Sequence, residues 1–167
     1  MKTLWQLALT TGLLISTIPA VAAEDKLNLA GSYKCTGYDS YDGAFNGVLT
    51  LTKEEAASDP KHNSGAYQVS LKLKVPNVSD TYNYKGYAAS QGERLAIFFA
   101  NEQDSDPVGK TDRGVGVAHV SHDQDVDGKY TTTIRKFYYL PEYKRDAKDG
   151  TTKAFGGHGR ETCVKVE

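Results

Sequence analysis

The sequence has few cysteines, almost no tryptophan or methionine, and no excess of charge of either sign. Its 167 residues include two cysteines, one tryptophan and one methionine, and 20 lysines and arginines offset 21 aspartates and glutamates. Two cysteines are too few for a disulfide-dense mini-scaffold or for a four-cysteine zinc site. A net charge near zero argues against a protein held on nucleic acid by phosphate contacts. The length fits a single domain.

Long apolar runs are also absent, apart from one at the N-terminus. Lys2 precedes an apolar stretch from Leu7 to Val21, and the small residues Ala22 and Ala23 follow. This order is typical of a secretory signal peptide, and the stretch is too short to span a bilayer comfortably. We therefore predict that residues 1–23 are cleaved and that residues 24–167 form one exported domain, periplasmic or secreted, with no membrane span. An uncleaved membrane anchor is the alternative.

Export would place the two cysteines in an oxidising compartment. Cys35 and Cys163 lie near the two ends of the predicted domain. In an oxidising compartment an even number of cysteines predicts a disulfide, and two cysteines allow one intramolecular pairing. Because bonded cysteines bring their Cα atoms within about 7 Å, the first and last segments would be neighbours. Two free or intermolecularly bonded thiols are the alternative.

Alternating polarity predicts strands along the whole exported domain. In the clearest case, Tyr67 to Val75, apolar side chains occupy every second position, as in a sheet that is wet on one side. Turn residues separate most of the segments. The predicted strands are Gly31–Tyr38, Phe45–Lys53, Ala66–Val75, Thr81–Ala89, Arg94–Asn101, Gly114–His122, Lys129–Leu140 and Ala154–Val166. Only Lys53 to Ala57 suits a helical turn, which Asp59-Pro60 would end.

Eight strands joined by short loops predict an up-and-down antiparallel sheet, whose edges are exposed unless the sheet closes. A disulfide between the first and last strands would bring these edges together. The predicted fold is therefore all-β, a single eight-stranded antiparallel β-barrel, with a two-sheet β-sandwich as the alternative. The candidate interior residues are Phe45, Leu49, Leu51, Tyr67, Val69, Leu71, Leu73, Leu95, Ile97 and Phe99. They would fill much of the lumen, although such a barrel can also hold one small ligand.

Both ends of the domain resemble known proteins. Gly31-Ser32-Tyr33 on the first strand and Arg160 on the last resemble the calycin arrangement of lipocalins and avidins. There Gly-x-Trp opens the first strand and a late arginine packs across it; here Tyr33 replaces the tryptophan. A longer pattern resembles small exported bacterial proteins of unassigned activity, some labelled fibronectin-binding. It comprises Gly31-x-Tyr33-x-Cys35-x-Gly37-Tyr38-Asp39, Phe45-x-Gly47-x-Leu49-Thr50-Leu51 and Glu161-Thr162-Cys163. The first resemblance implies a calycin-like barrel, and the second supports the disulfide.

An acidic segment, residues 123–128, carries aspartate at every second position. Asp123, Asp125 and Asp127 match the start of an EF-hand loop, where alternating oxygens surround Ca²⁺. The twelfth position is Ile134, however, where that loop requires a glutamate. We therefore predict a solvated acidic hairpin tip and no cofactor, with a Ca²⁺ site at the three aspartates as the alternative.

Tyrosine is abundant, with 11 in the chain. Tyrosine offers a large rigid surface with a polar tip, which suits recognition, although it is also an ordinary strand former. The candidate ligand-binding residues are Tyr38, Tyr41, Tyr82, Tyr84, Tyr138 and Tyr139. Consecutive residues on a strand face opposite ways, so one of the last two is expected outside. Exposed aromatics near Lys136, Lys144 and Arg145 would then form a binding patch.

Motifs for catalysis are missing. The sequence contains no Gly-x-Ser-x-Gly, His-Glu-x-x-His or Walker pattern. We predict a non-enzymatic exported binding protein that recognises a protein or glycan at its surface, or a small hydrophobic ligand in its lumen. An enzyme whose polar groups meet only in three dimensions, and an inhibitor or structural envelope protein, are the alternatives.

Overall fold

The chain is built almost entirely from β-strands. The computed structural model describes residues 28–76, 79, 81–102, 112–146, 152–154 and 156–166. The strands of this part are β1 Gly31–Asp39, β2 Gly43–Lys53, β3 Ser64–Lys74, β4 Thr81–Gln91, β5 Arg94–Asn101, β6 Arg113–Gln124, β7 Tyr130–Leu140, β8 Lys144–Asp146, β9 Thr152–Ala154 and β10 Gly157–Lys165. The predicted signal peptide, residues 1–23, lies outside the described residues. Within them, no helix is long and apolar enough to cross a membrane.

Eight of these strands form a closed antiparallel barrel, which confirms the predicted fold. The order around the barrel is β1-β10-β7-β6-β5-β4-β3-β2, and β1 pairs with both β2 and β10. Alternation along β3 shows why the sheet curls around a core, because Tyr67, Val69 and Leu71 are buried while Gln68 is exposed. Closure leaves no unpaired sheet edge in the barrel.

The connection from β7 to β10 differs from the prediction. The predicted strand Ala154–Val166 is wrong in its first part, because Thr152–Ala154 pairs instead with Lys144–Asp146 in a separate two-stranded sheet. Gly156 separates this hairpin from the barrel with a φ of 65°, a conformation that glycine adopts without strain. The predicted helical turn is present as a short 3-10 turn, Glu55–Ala57, and a second one, Pro60–His62, follows it.

The predicted disulfide joins the two strands that close the barrel. Cys35 on β1 lies directly opposite Cys163 on β10, with their Cα atoms 4.0 Å apart. Both residues are buried in the core. The bond links positions 128 residues apart in the sequence. A disulfide between such distant residues fits folding in an oxidising compartment.

The predicted interior residues all lie within or against the core. Nine of the ten are buried, and Leu73 is partly buried against them. One end of the barrel is closed by Leu29, whose N–H lies 3.3 Å from the Tyr67 hydroxyl and whose carbonyl accepts a 2.8 Å hydrogen bond from the Tyr33 hydroxyl. The lumen is therefore filled at this end, and any opening lies at the other.

The strand register separates the two residues of the calycin resemblance. Tyr33 lies opposite Lys165, whereas Arg160 lies opposite Tyr38. Tyr33 is fully buried and Arg160 is exposed. The packing of a late arginine across the first-strand aromatic, which the resemblance implies, is therefore not formed here. Tyr33 uses its hydroxyl to hold Leu29 instead.

Candidate functional site

A cavity of about 50 Å³ lies at the end of the barrel opposite Leu29. Because one water needs about 10–15 Å³ of such space, the cavity takes a few waters or one small head group. Aromatic and aliphatic side chains line it together with five charged residues. Those five, with three tyrosines, are named the mouth cluster: Asp39, Asp42, Asp112, Lys136, Glu161, Tyr84, Tyr138 and Tyr143.

A buried ion pair belongs to this cluster. Lys136 Nζ lies 2.6 Å from Glu161 Oε1, and each side chain is only 1% exposed. Both residues occupy inward positions, and the register places them directly opposite each other on β7 and β10. The same Nζ lies 5.1 Å from the ring centre of Phe99 and 5.5 Å from that of Tyr138. One carboxylate and two aromatic rings therefore hold the ammonium group.

The second carboxylate oxygen of Glu161 lacks such a partner. Glu161 Oε2 is buried and accepts no hydrogen bond within the described part of the chain. A buried acceptor without a donor costs free energy. Glu161 also lines the cavity, so this acceptor lies beside the space that a donor would enter.

Tyrosine hydroxyls donate to the three aspartates of the cluster. The pairs are Tyr138 to Asp39 at 2.8 Å, Tyr84 to Asp112 at 2.8 Å and Tyr143 to Asp42 at 3.4 Å. Burial raises the pKa of all three phenols, and the nearby carboxylates raise it further. The tyrosines therefore remain protonated donors at physiological pH and are unsuited to act as bases.

Further donors hold the aspartates in place. Asp39 Oδ1 accepts the backbone N–H of Tyr41 at 2.8 Å, which fixes the turn between β1 and β2. Asp112 Oδ2 also accepts from the side-chain amide of Asn101 at 3.0 Å. Two carboxylates at the mouth are thus positioned before any ligand arrives, which lowers the ordering cost of binding.

The predicted ligand-binding tyrosines divide into two groups. Tyr82, Tyr84 and Tyr138 line the cavity. Tyr41 reaches the same end of the barrel, where its ring stacks on that of Tyr143 with centres 5.3 Å apart. These four predicted positions therefore surround one site.

The other two predicted tyrosines face away from this site. Tyr38 is 60% exposed and Tyr139 is 47% exposed on the outside of the barrel. Tyr138 is buried while Tyr139 is not, so the two consecutive tyrosines face opposite ways, as predicted.

None of the charged members of the mouth cluster is among the candidate ligand-binding residues predicted from the sequence. Lys136 is predicted in an exposed binding patch, which is wrong because it is only 3% exposed. The side chains of Lys144 and Arg145, which share that prediction, lie outside the described ones. A signal for the pair does exist in the sequence: cysteine is among the most often buried residues, so Cys163 is expected to face inward, and Glu161 shares its face.

The acidic segment lies in the β6–β7 hairpin, at the barrel end away from the mouth. Its three aspartates are exposed. Asp125 Oδ1 accepts the backbone N–H groups of Asp127 and Lys129, at 3.0 and 2.8 Å, and Asp123 Oδ2 accepts from the Ser121 hydroxyl. These carboxylates therefore stabilise their own turn.

The closest grouping of atoms that could bind a metal lies inside the barrel, at the disulfide. Among the described residues, the one group of three ligand atoms that lie within 4.8 Å of one another comes from Cys35, Glu161 and Cys163. The disulfide already uses both cysteine sulfurs. Neither the acidic segment nor the mouth thus gathers three carboxylates around one point.

The composition of the mouth cluster indicates the charge of its ligand. Its ionisable acids and base formally supply four negative charges and one positive charge. Excess carboxylate in a partly enclosed cavity with aromatic walls attracts a cation. The chain matches no protein-family model, no curated protein and no solved structure, so the functional argument rests on the geometry of the mouth cluster.

Proposed function

We propose that the protein is an exported, calycin-like binding protein without enzymatic activity, whose mouth cluster binds the ammonium group of a small organic cation. The surplus of carboxylates around an aromatic-lined cavity carries this proposal. The unpartnered Glu161 Oε2 supplies a buried acceptor for an N–H donor. The Lys136 ammonium, held between Glu161 and two rings, is an internal example of the same chemistry.

An organic cation suits the cluster better than a metal ion. Ca²⁺ and Mg²⁺ need several oxygens around one point, and among the described residues no three carboxylates gather in this way. An alkylammonium ion needs fewer oxygens and gains from contact with aromatic rings. The rings of Phe99, Tyr84 and Tyr138 line the cavity and are placed to supply those contacts.

The size of the cavity limits how much of the ligand enters. About 50 Å³ holds an ammonium head and one or two carbons, so the rest of the ligand lies at the rim. The stacked pair of Tyr41 and Tyr143 borders this rim and offers it an apolar surface. This differs from the sequence-based hypothesis of a small hydrophobic ligand in the lumen.

Export is part of the same proposal. The predicted signal peptide would direct the chain out of the cytoplasm, and the Cys35–Cys163 bond suits an oxidising compartment. The ligand would then be met in the periplasm or outside the cell.

Titration calorimetry with butylammonium chloride as the probe tests the proposal. We expect saturable heat with butylammonium and none with sodium butyrate, which has the same number of carbons and the opposite charge. Asp42→Asn removes a rim carboxylate and should weaken binding about tenfold, since a charged hydrogen bond contributes roughly 1.5 kcal/mol or more. Asp127→Asn makes the same change at the other end of the barrel and serves as the matched control.

The proposal fails if butylammonium and butyrate give the same heat, or if Asp42→Asn and Asp127→Asn bind butylammonium equally well. Circular dichroism of each variant confirms that the barrel has formed. A second probe, calcium chloride, separates organic from inorganic cations: binding of calcium in preference to butylammonium would contradict the proposed ligand class.

A further inference from the structure

The outer surface of β4, β5, β6 and β7 carries a continuous apolar patch. Strand register aligns two neighbouring rows of outward side chains across these four strands. The first row is Tyr87, Phe98, Val115 and Tyr139, and the second row is Ala89, Ala96, Val117 and Phe137. All eight residues are exposed. They are named the outer wall.

The outer wall is large enough to form the centre of a protein interface. Its four aromatic side chains are between 44% and 68% exposed. Together they leave uncovered the area of about two whole aromatic side chains, roughly 400 Å². Two valines, more than half exposed, add to this. The total approaches the upper end of the range for apolar patches on monomers, about 300–600 Å². It is also half or more of the roughly 800 Å² that each partner contributes to a standard interface.

We propose that the outer wall is the interface of a homodimer, with the two-fold axis running across the strands between the two rows. Such an axis brings each first-row residue to the second-row residue of the same strand in the other copy. Tyr87 then faces the partner's Ala89, and Phe98 faces the partner's Ala96. On these two strands a large ring of one copy thus meets a small side chain of the other, as close packing requires, while on β7 Tyr139 faces the partner's Phe137.

Charges beside the outer wall favour the same axis. The next row on one side is Gln91, Arg94, His119 and Arg135. On the other side Glu102 and Glu142 form ion pairs with Lys85 and Arg113. Lys85 and Arg113 belong to the row on this second side, so the two ion pairs leave it without net charge. The proposed axis sets the arginine side of one copy against this neutral side of the other. An axis along the strands would instead set arginine sides together, and like charges oppose association.

The oligomeric state of the exported protein tests the proposal. By light scattering we expect a dimer at about 100 µM chain, where a complex of micromolar affinity is fully formed. Val117→Glu places a carboxylate in the centre of the interface and should raise the dissociation constant about tenfold or more. Val48→Glu makes the same change at a residue on β2 that is 44% exposed and outside the outer wall, and it should leave the dimer intact.

A mixing experiment tests the orientation of the two copies. The proposed axis brings Val115 to the partner's Val117. Val115→Lys and Val117→Glu should each weaken the dimer alone, and an equimolar mixture should recover it, because lysine then faces glutamate. An axis along the strands does not bring Val115 to the partner's Val117, so it predicts that mixing does not recover the dimer.

Two results would overturn the proposal. One is a wild-type chain that stays monomeric at this concentration, whether or not it floats with vesicles of anionic phospholipid; flotation would make the outer wall a membrane-binding surface. The other is a Val117→Glu variant, folded by circular dichroism, whose dissociation constant in a dilution series equals that of the wild type. A dimer that loses stability in Val117→Glu but is not recovered by mixing would overturn the proposed axis.

Discussion

The buried ion pair between Lys136 and Glu161 gives the strongest stability prediction. Both side chains are 1% exposed, so removing one partner leaves the other as an unpaired charge inside the barrel. Lys136→Met strands a carboxylate, and Glu161→Met strands an ammonium group. Each substitution keeps roughly the volume of the side chain, so the change is chiefly one of charge.

The expected magnitudes follow from this burial. Each single substitution should lower the free energy of unfolding by about 3–5 kcal/mol, because the remaining charge has lost its counterion. The double substitution should lie within about 1 kcal/mol of the wild type or above it, since it also removes the cost of burying both charges. Lys85→Met is the control: it breaks the exposed pair with Glu102 and should cost less than about 1 kcal/mol.

Urea denaturation followed by circular dichroism measures these differences. A loss of about 3–5 kcal/mol lowers the midpoint by about 2 M urea when the slope is near 2 kcal/mol per molar. If both single variants behave like Lys85→Met, the pair is hydrated and the mouth is an open, water-filled funnel. The mouth would then not be a preorganised site for an ammonium group.

Three further predictions concern the disulfide, the tyrosines and the N-terminus. Replacing both Cys35 and Cys163 with serine should lower the free energy of unfolding by about 2–5 kcal/mol in urea titrations, and wild-type protein should show no alkylatable thiol before reduction. Burial and nearby carboxylates raise the pKa of Tyr84 and Tyr138, so the stability that their protonated forms contribute should be fully present below the ordinary phenol pKa of about 10 and be lost as the pH rises above it. The reason is that the unfolded chain releases phenol protons that the folded chain retains; Tyr84→Phe should make the fall shallower in urea titrations at successive pH values. Mass spectrometry of exported protein should find cleavage after Ala22 or Ala23, which removes Trp5, and a full-length mass would contradict the predicted signal peptide.

The barrel could be predicted from sequence because its determinants are local. Alternation along residues such as Tyr67, Val69 and Leu71 reveals the inward face of each strand, and turn residues reveal where strands end. The two cysteines supply the one long-range constraint that is needed to close the sheet. The β8–β9 hairpin could not be predicted in the same way, because strands of three residues are too short to show alternation.

The mouth cluster could be predicted only in part. Its tyrosines stand out by composition, but its charged residues come from strands that are distant in sequence. Lys136 and Glu161 meet because of the β7–β10 register, which no local pattern specifies. A lysine, here between Arg135 and Phe137, is ordinarily assigned to the surface. Only the inward position of Cys163 reveals that Glu161 is inside, and an interior glutamate calls for a cation close by.

The most direct test of the central claim is to locate the binding site of an ammonium probe. Butylammonium chloride would be titrated into isotope-labelled exported protein while backbone amide chemical shifts are followed. We expect saturable changes at the mouth, at residues such as Tyr41, Asp112 and Glu161, and none at Asp125 in the opposite hairpin. Shifts confined to the hairpin aspartates, or spread evenly over all exposed carboxylates, would contradict the claim.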